Sequence, residues 1–226
     1  SRGLGDVYKR QAKELWRGPW AGISRTNWIL TNIDKSPKIS DAKKTQYKGE
    51  AHFLRGLYYF NLVRLFGDVP WIDKQQTASD DLQVSRTSKD IVYQHIIDDF
   101  SDAASMLPAV YENTTDIGRA TKGAAFGLLA KVYLTLKRYN ETLVAIDSVT
   151  NLGVYSLNRK YEWNFSDLRE NGPESLFEVQ YEKDVTAYSE FDILGQGGWH
   201  HEYMAPLASI NIGGPWGNFG WFAVYP

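Results

Sequence analysis

The residues best equipped for chemistry lie close to the C-terminal end. Trp199, Tyr203, Trp216 and Trp221 are interleaved with Gln196, Asn211 and Asn218 in stretches reading GQGGWHHEY and GGPWGNFGWFAVYP. A sugar presents an apolar C–H face and a ring of hydroxyls. Flat indole and phenol rings match the first, and amide side chains hydrogen-bond the second. The glycines between them let the backbone carry the rings without helix or strand constraint. The expectation is that at least one of Trp199, Trp216 and Trp221 meets carbohydrate, with Tyr203 and Asn218 beside them. Against any single ring stands the commoner role of packing a loop onto the core. Trp71, followed by Asp73 and Lys74, is a second candidate ligand contact, for which anchoring its loop is the stronger reading.

Other chemistries fare worse. The sequence has no cysteine, which removes disulfides, Cys-type zinc sites and thiol nucleophiles. His200-His201-Glu202 invites a metal, but adjacent histidines rarely share one ion and no His-Glu-x-x-His spacing exists. Ser40 and Lys43 match Ser-x-x-Lys without its companion motifs, and a helix cap explains them. There is no phosphate-binding glycine loop and no Gly-x-Ser-x-Gly. No pair of acids stands out as glycosidase carboxylates. Glu50 and Arg55 are five residues apart on one helix and do not face each other, so separate structural partners are expected. No catalytic residue, metal or cofactor is nominated, and an enzyme is not expected.

Composition sets the frame for these side chains. A chain of 226 residues buries roughly 70% of its unfolded surface, enough for a sizeable core. Hydrophobic residues at 43% and charged residues at 23% are ordinary for a globular protein. A net charge of −2 with no basic run gives no reason to expect nucleic acid. Eight Trp and fourteen Tyr are the unusual numbers: such a chain either has a very aromatic core or displays rings to a ligand. No apolar run approaches the roughly 20 residues of a membrane span.

Apolar periodicity predicts five helices: residues 12–34 with a break or kink at Gly18-Pro19, 40–66 capped by Ser40 and ended by Gly67, then 89–107, 120–136, and 140–152 capped by Asn140. The second is apolar on most sides and must lie between neighbours. The last two, with their turn, have the length of a tetratricopeptide unit of about 34 residues. Such pairs stack because one alone cannot bury its apolar face. After Gly153 the helical period stops. Residues 155–157 and 176–181 are extended candidates, and the rest has long-loop composition. The expected fold class is mainly α, with tetratricopeptide-like hairpins and a loop-rich, partly extended C-terminal part.

The string YKGEAHFLRGLYYFNLVRLFGDVP, residues 47–70, resembles the signature of the SusD/RagB family. Residues 16–33, the stretch ATKGAAFGLLAKVYLTLKRY at 120–139, GVYSL at 153–157 and ESLFEVQY at 174–181 are similar to further family segments. The resemblance implies a tetratricopeptide-like core carrying a loop-rich ligand-binding part. It also implies a cell-surface, lipid-anchored outer-membrane protein of Bacteroidetes that binds glycans and serves a SusC-like TonB-dependent transporter. Membrane attachment would come through a lipidated cysteine upstream. Both ends look cut. Residues 1–11 resemble a translated adapter and are set aside as a non-native leader, leaving a helical core over 12–153 and a truncated binding part over 154–226. A helical-repeat scaffold for protein partners is the alternative of another class, and a glycoside hydrolase the weakest.

Overall fold

The computed structural model describes residues 4–80, 83–166 and 169–180. Residues up to 178 form one compact unit, the first of two into which the chain divides. Five helices build the first: α1 (Leu4–Asn32), α2 (Asp41–Phe66), α3 (Lys89–Met106), α4 (Lys122–Thr135) and α5 (Tyr139–Asn151). Each packs on the next in chain order. The architecture is mainly α, as the periodicity predicts.

Helix α2 is the centre of the array. Ser40 caps it by accepting the Lys43 N–H at 3.4 Å, and Gly67 ends it at φ +71°, a conformation that costs a glycine little. Phe53, Tyr59, Phe60, Leu62 and Val63 of α2 are buried with Ile23 of α1, Val92, Ile96 and Phe100 of α3, and Leu129 and Val132 of α4. Phe53 meets Phe100 edge to face at 5.9 Å. α2 is therefore enclosed by α1 and α3, which is why its apolar residues spread around its circumference.

Four main differences separate the observed elements from the sequence reading. The first helix begins at Leu4 and runs unbroken through Pro19. A proline inside a helix costs about 3 kcal/mol. Here the neighbouring rings offset it: Trp16 meets Trp20 at 5.3 Å and Phe66 at 5.0 Å, and Trp20 meets Tyr59 at 5.9 Å, all edge to face. α4 starts at Lys122, two residues later than predicted, because the Thr121 hydroxyl accepts the Ala124 N–H and makes Thr121 the cap. α5 starts at Tyr139, so Asn140 lies inside its first turn. The turn before it is drawn tight by Arg138 N–H donating to the Tyr133 carbonyl at 2.8 Å, with Lys137 at φ +59°.

The fourth difference concerns the extended segments. Among the described residues neither candidate forms a strand; Ser156 N–H donates to the Pro173 carbonyl at 3.0 Å without a ladder. Leu176 approaches α4 at Gly127, where a Cβ would lie 2.6 Å from its methyl. Phe177 packs on Phe53 at 4.9 Å. Two consecutive side chains thus meet the helical layer, which the two-residue period of a strand forbids.

The loop between α2 and α3 is fixed at both ends. Val69 is buried, and its carbonyl accepts the Thr87 N–H at 3.0 Å in an isolated bridge. The Asp68 carboxylate accepts the Lys89 N–H at 2.8 Å and so caps α3 from the far end of the loop. Ser88, the cap position itself, makes no capping bond through its side chain.

Candidate functional site

Of the residues singled out as ligand contacts, Trp199, Tyr203, Trp216, Asn218 and Trp221 lie outside the described residues, as does His200-His201-Glu202. Trp71 lies within them. Its ring stacks on His95 at 4.4 Å with planes 12° apart, and tilts against Tyr59 at 4.2 Å. The Arg55 guanidinium sits 5.4 Å from its centroid. Trp71 is half-buried. Rings on two sides and a cation nearby hold it in place, so the loop it belongs to is anchored through it.

Beneath Trp71 runs a buried polar network. The Arg55 Nε and Nη2 donate to the two oxygens of Asp99 at 2.9 and 2.7 Å, a two-pronged pair between α2 and α3. Its Nη1 donates to Asn27 Oδ1 on α1 and to the Asp73 carbonyl, both at 3.0 Å. Asn27 Nδ2 donates to the Ile72 carbonyl at 2.7 Å. His52 Nδ1 lies 2.7 Å from Asp99 Oδ1. The Tyr59 hydroxyl accepts the Ile72 N–H at 2.8 Å and donates to the Ile72 carbonyl. Arg55 thus ties three helices and the 72–73 backbone to one point. Glu50 acts separately. It accepts from Arg119 Nη1 at 2.6 Å and from Gln46 at 2.8 Å, and Tyr111 donates to it at 3.2 Å. That second cluster pins the α3–α4 connection to α2. Glu50 and Arg55, five residues apart in the signature string, have separate structural partners, as their spacing predicts.

Burial raises the phenol pKa of Tyr59; at Tyr111 burial does the same, reinforced by the Glu50 carboxylate. In the unfolded chain both ionise near about 10. A raised folded value means the native state keeps its protons longer, so the stabilisation is complete below the unfolded value and is lost as pH rises from there towards the folded one. We expect the urea midpoint to fall between pH 9 and pH 11, and to fall less in a Tyr111→Phe variant. An unchanged midpoint would contradict the buried placement of these hydroxyls.

A cavity of about 490 Å³ opens between α4 and the segment 158–178. Lys131, Asn158, Asn164, Arg169, Glu174 and Phe177 line it. The polar groups are ordered by one another: Asn158 N–H donates to Glu174 Oε2 at 2.9 Å, Asn158 Nδ2 to Asn164 Oδ1 at 2.6 Å, and Asn164 Nδ2 to Glu174 at 3.1 Å. The backbone N–H of Asn158, followed by the Asn164 amide, holds the Glu174 carboxyl below the usual carboxylate range. Arg169 lies over the Trp163 ring at 3.7 Å. Tyr161 and Phe165, on the same 3-10 turn Tyr161–Phe165, are exposed and meet edge to face at 5.3 Å. Amides, a carboxylate and cations beside exposed rings are the mixture expected of a surface for polyhydroxylated ligands. Sequence reasoning passed over this segment. The signal was YEWNF, three aromatics and an Asn in five residues, but it lacks the glycines that drew attention to the C-terminal stretch.

Among the described residues, no three His, Asp or Glu side chains are grouped to hold a metal ion, and no helix is long and apolar enough to cross a membrane.

A family model described as "Starch-binding associating with outer membrane" matches residues 4–134, more than half of the sequence. The chain belongs to this SusD-like family. SusD-like protein P25 of Formosa agariphila is 25% identical over 210 residues, covering 88% of this chain and 40% of that protein. The crystal structure of a SusD-like protein from Bacteroides fragilis superposes with a TM-score of 0.71 at 33% identity, over 77% of this chain and 34% of that one. A laminarin-binding SusD-like protein superposes with a TM-score of 0.68 at 29% identity, over 74% of this chain and 37% of that one. The SusD-like chain described here therefore spans roughly a third to two fifths of the length of these relatives. The match from residue 4 agrees with α1 starting at Leu4.

Proposed function

We propose that the whole protein is a cell-surface glycan-binding protein of the outer membrane, lipid-anchored, that passes captured oligosaccharide or polysaccharide to a SusC-like TonB-dependent transporter. The observation that carries this reading is the family match over α1 to α4, joined by the structural likeness to a laminarin-binding relative. The aromatic wealth of the sequence supports it, because stacking rings beside amides suit a neutral sugar chain better than a charged ligand. In this reading Trp199, Trp216 and Trp221, with Tyr203 and Asn218, supply the stacking surface. Trp71 stands as a further candidate ring, and the cleft at Asn158, Asn164 and Glu174 supplies hydrogen bonds.

The test is electrophoresis of the whole protein in native gels containing laminarin, starch or another polysaccharide. Retardation in at least one of them, absent for a control protein of similar charge, is the expected result. No retardation across a broad polysaccharide panel, together with specific capture of a protein partner, would favour the scaffold reading instead. Catalysis forms no part of the proposal: incubation with the bound polysaccharide should release no new reducing ends.

A further inference from the structure

Ala124, Gly127, Leu128 and Lys131 of α4 line the cavity of about 490 Å³. Their steps of three, one and three residues put them on one face of that helix. The face is apolar until it ends in the Lys131 ammonium. Arg169 lines the same space, its guanidinium 3.7 Å from the centroid of the Trp163 ring. A guanidinium lying on an indole is held in one plane, while its N–H edge stays open to acceptors. Lys131 and Arg169 are both exposed, and neither has an ion-pair partner among the described residues.

Two carboxylates also line the cavity, Glu174 and Glu178. They are engaged by N–H donors of their own segment. Glu174 Oε2 accepts from the Asn158 N–H and the Asn164 amide, and Glu178 Oε2 accepts the Asn171 N–H at 3.0 Å. The cations are therefore not consumed by the fold and are presented to whatever enters. Tyr161 and Phe165, 78% and 74% exposed, stand on either side of Asn164 in the same turn. Such rings take the apolar face of any pyranose, neutral or acidic. The charge that the site prefers is decided by the groups beside them.

We propose that this cleft selects sugar residues bearing a negative substituent, a carboxylate or a sulfate, with Lys131 and Arg169 as the groups that set the preference. The proposal rests on the glycan reading above and adds a charge to it. Stacking rings alone favour a neutral chain, and the two cations favour acidic residues within that chain. Charge-assisted hydrogen bonds are roughly twice as strong as neutral ones, and the planar fork of Arg fits either oxyanion. The net charge of the sequence is −2, so it exerts no general pull on a polyanion and any preference has to be local.

The whole protein, in about 0.15 M salt to screen distant charges, would be titrated calorimetrically with laminarin and soluble starch, and with the C6-carboxylated and sulfated forms of each. The expected result is that at least one charged form binds about fivefold or more tightly than its neutral parent. Which charged form gains identifies the anion. In a Lys131→Gln, Arg169→Gln double variant the ratio should fall to within about twofold with the melting temperature unchanged, since both side chains are exposed. Lys131→Arg, which keeps the charge, should preserve the ratio. Equal binding of neutral and charged forms, or a ratio that survives the double substitution, would overturn the proposal and leave the glycan reading standing. Binding of none of the six polysaccharides would overturn both.

Discussion

Asp99→Ala is expected to lower the unfolding free energy by about 3–5 kcal/mol, the cost of leaving a buried charge without its partner. Both Arg55 and Asp99 are buried. With Asp99 gone, the Arg55 guanidinium would keep only the Asn27 oxygen and the Asp73 carbonyl, two neutral acceptors. Domains are stable by about 5–15 kcal/mol, so the loss is a large share of the total. The exposed pair between Lys48 and Asp34, also 2.7 Å apart, makes the contrast. Asp34→Ala should cost no more than about 1 kcal/mol, because solvent screens both charges. Urea unfolding with an unchanged m-value would read the difference. Replacing both partners, Arg55→Met with Asp99→Leu, should recover much of the loss, since it removes the buried charge as well as the pair. A single Asp99→Ala variant as stable as the parent would show that the guanidinium reaches water.

The second large effect concerns ligand. Trp199→Ala and Trp221→Ala are each expected to weaken polysaccharide retardation while leaving the melting temperature nearly unchanged. A central aromatic contact is worth about 2 kcal/mol, or about thirtyfold in Kd. Had the same rings been packed into the core, truncation would cost about 3–5 kcal/mol of stability. The two roles therefore separate cleanly. Binding lost with the fold intact assigns the ring to ligand, and a lowered melting temperature assigns it to packing. Trp71→Ala is the internal comparison. Its ring already stacks on His95 and Tyr59, so that variant should lose stability.

The helices were legible because their signals are local. Ser40, Gly67 and the apolar residues of α2 announce themselves within one segment. The same locality explains what was misjudged. Pro19 reads as a break until Trp16, Trp20, Tyr59 and Phe66 are seen together, and these rings come from two helices. The 176–181 pattern alternates like a strand, yet Gly127 and Phe53 draw Leu176 and Phe177 the same way. The signature string was legible as a family likeness before its physics was. Its Arg55 and Asp68 act on partners 44 and 21 residues away, distances that periodicity does not sense. The cleft at 158–178 was missed for a similar reason: Asn158, Asn164 and Glu174 make sense only as a cluster.

Residues 69–75 have no regular secondary structure beyond one bridge, and a connection of that kind would ordinarily be read as a lid over a binding surface. Its backbone is instead gripped by Tyr59, Asn27 and Arg55, from two helices at once. Lifting it would mean breaking bonds that also hold α1 to α2. The segment behaves as masonry rather than as a door, and under the proposed function any motion that admits ligand has to be sought in other parts of the protein.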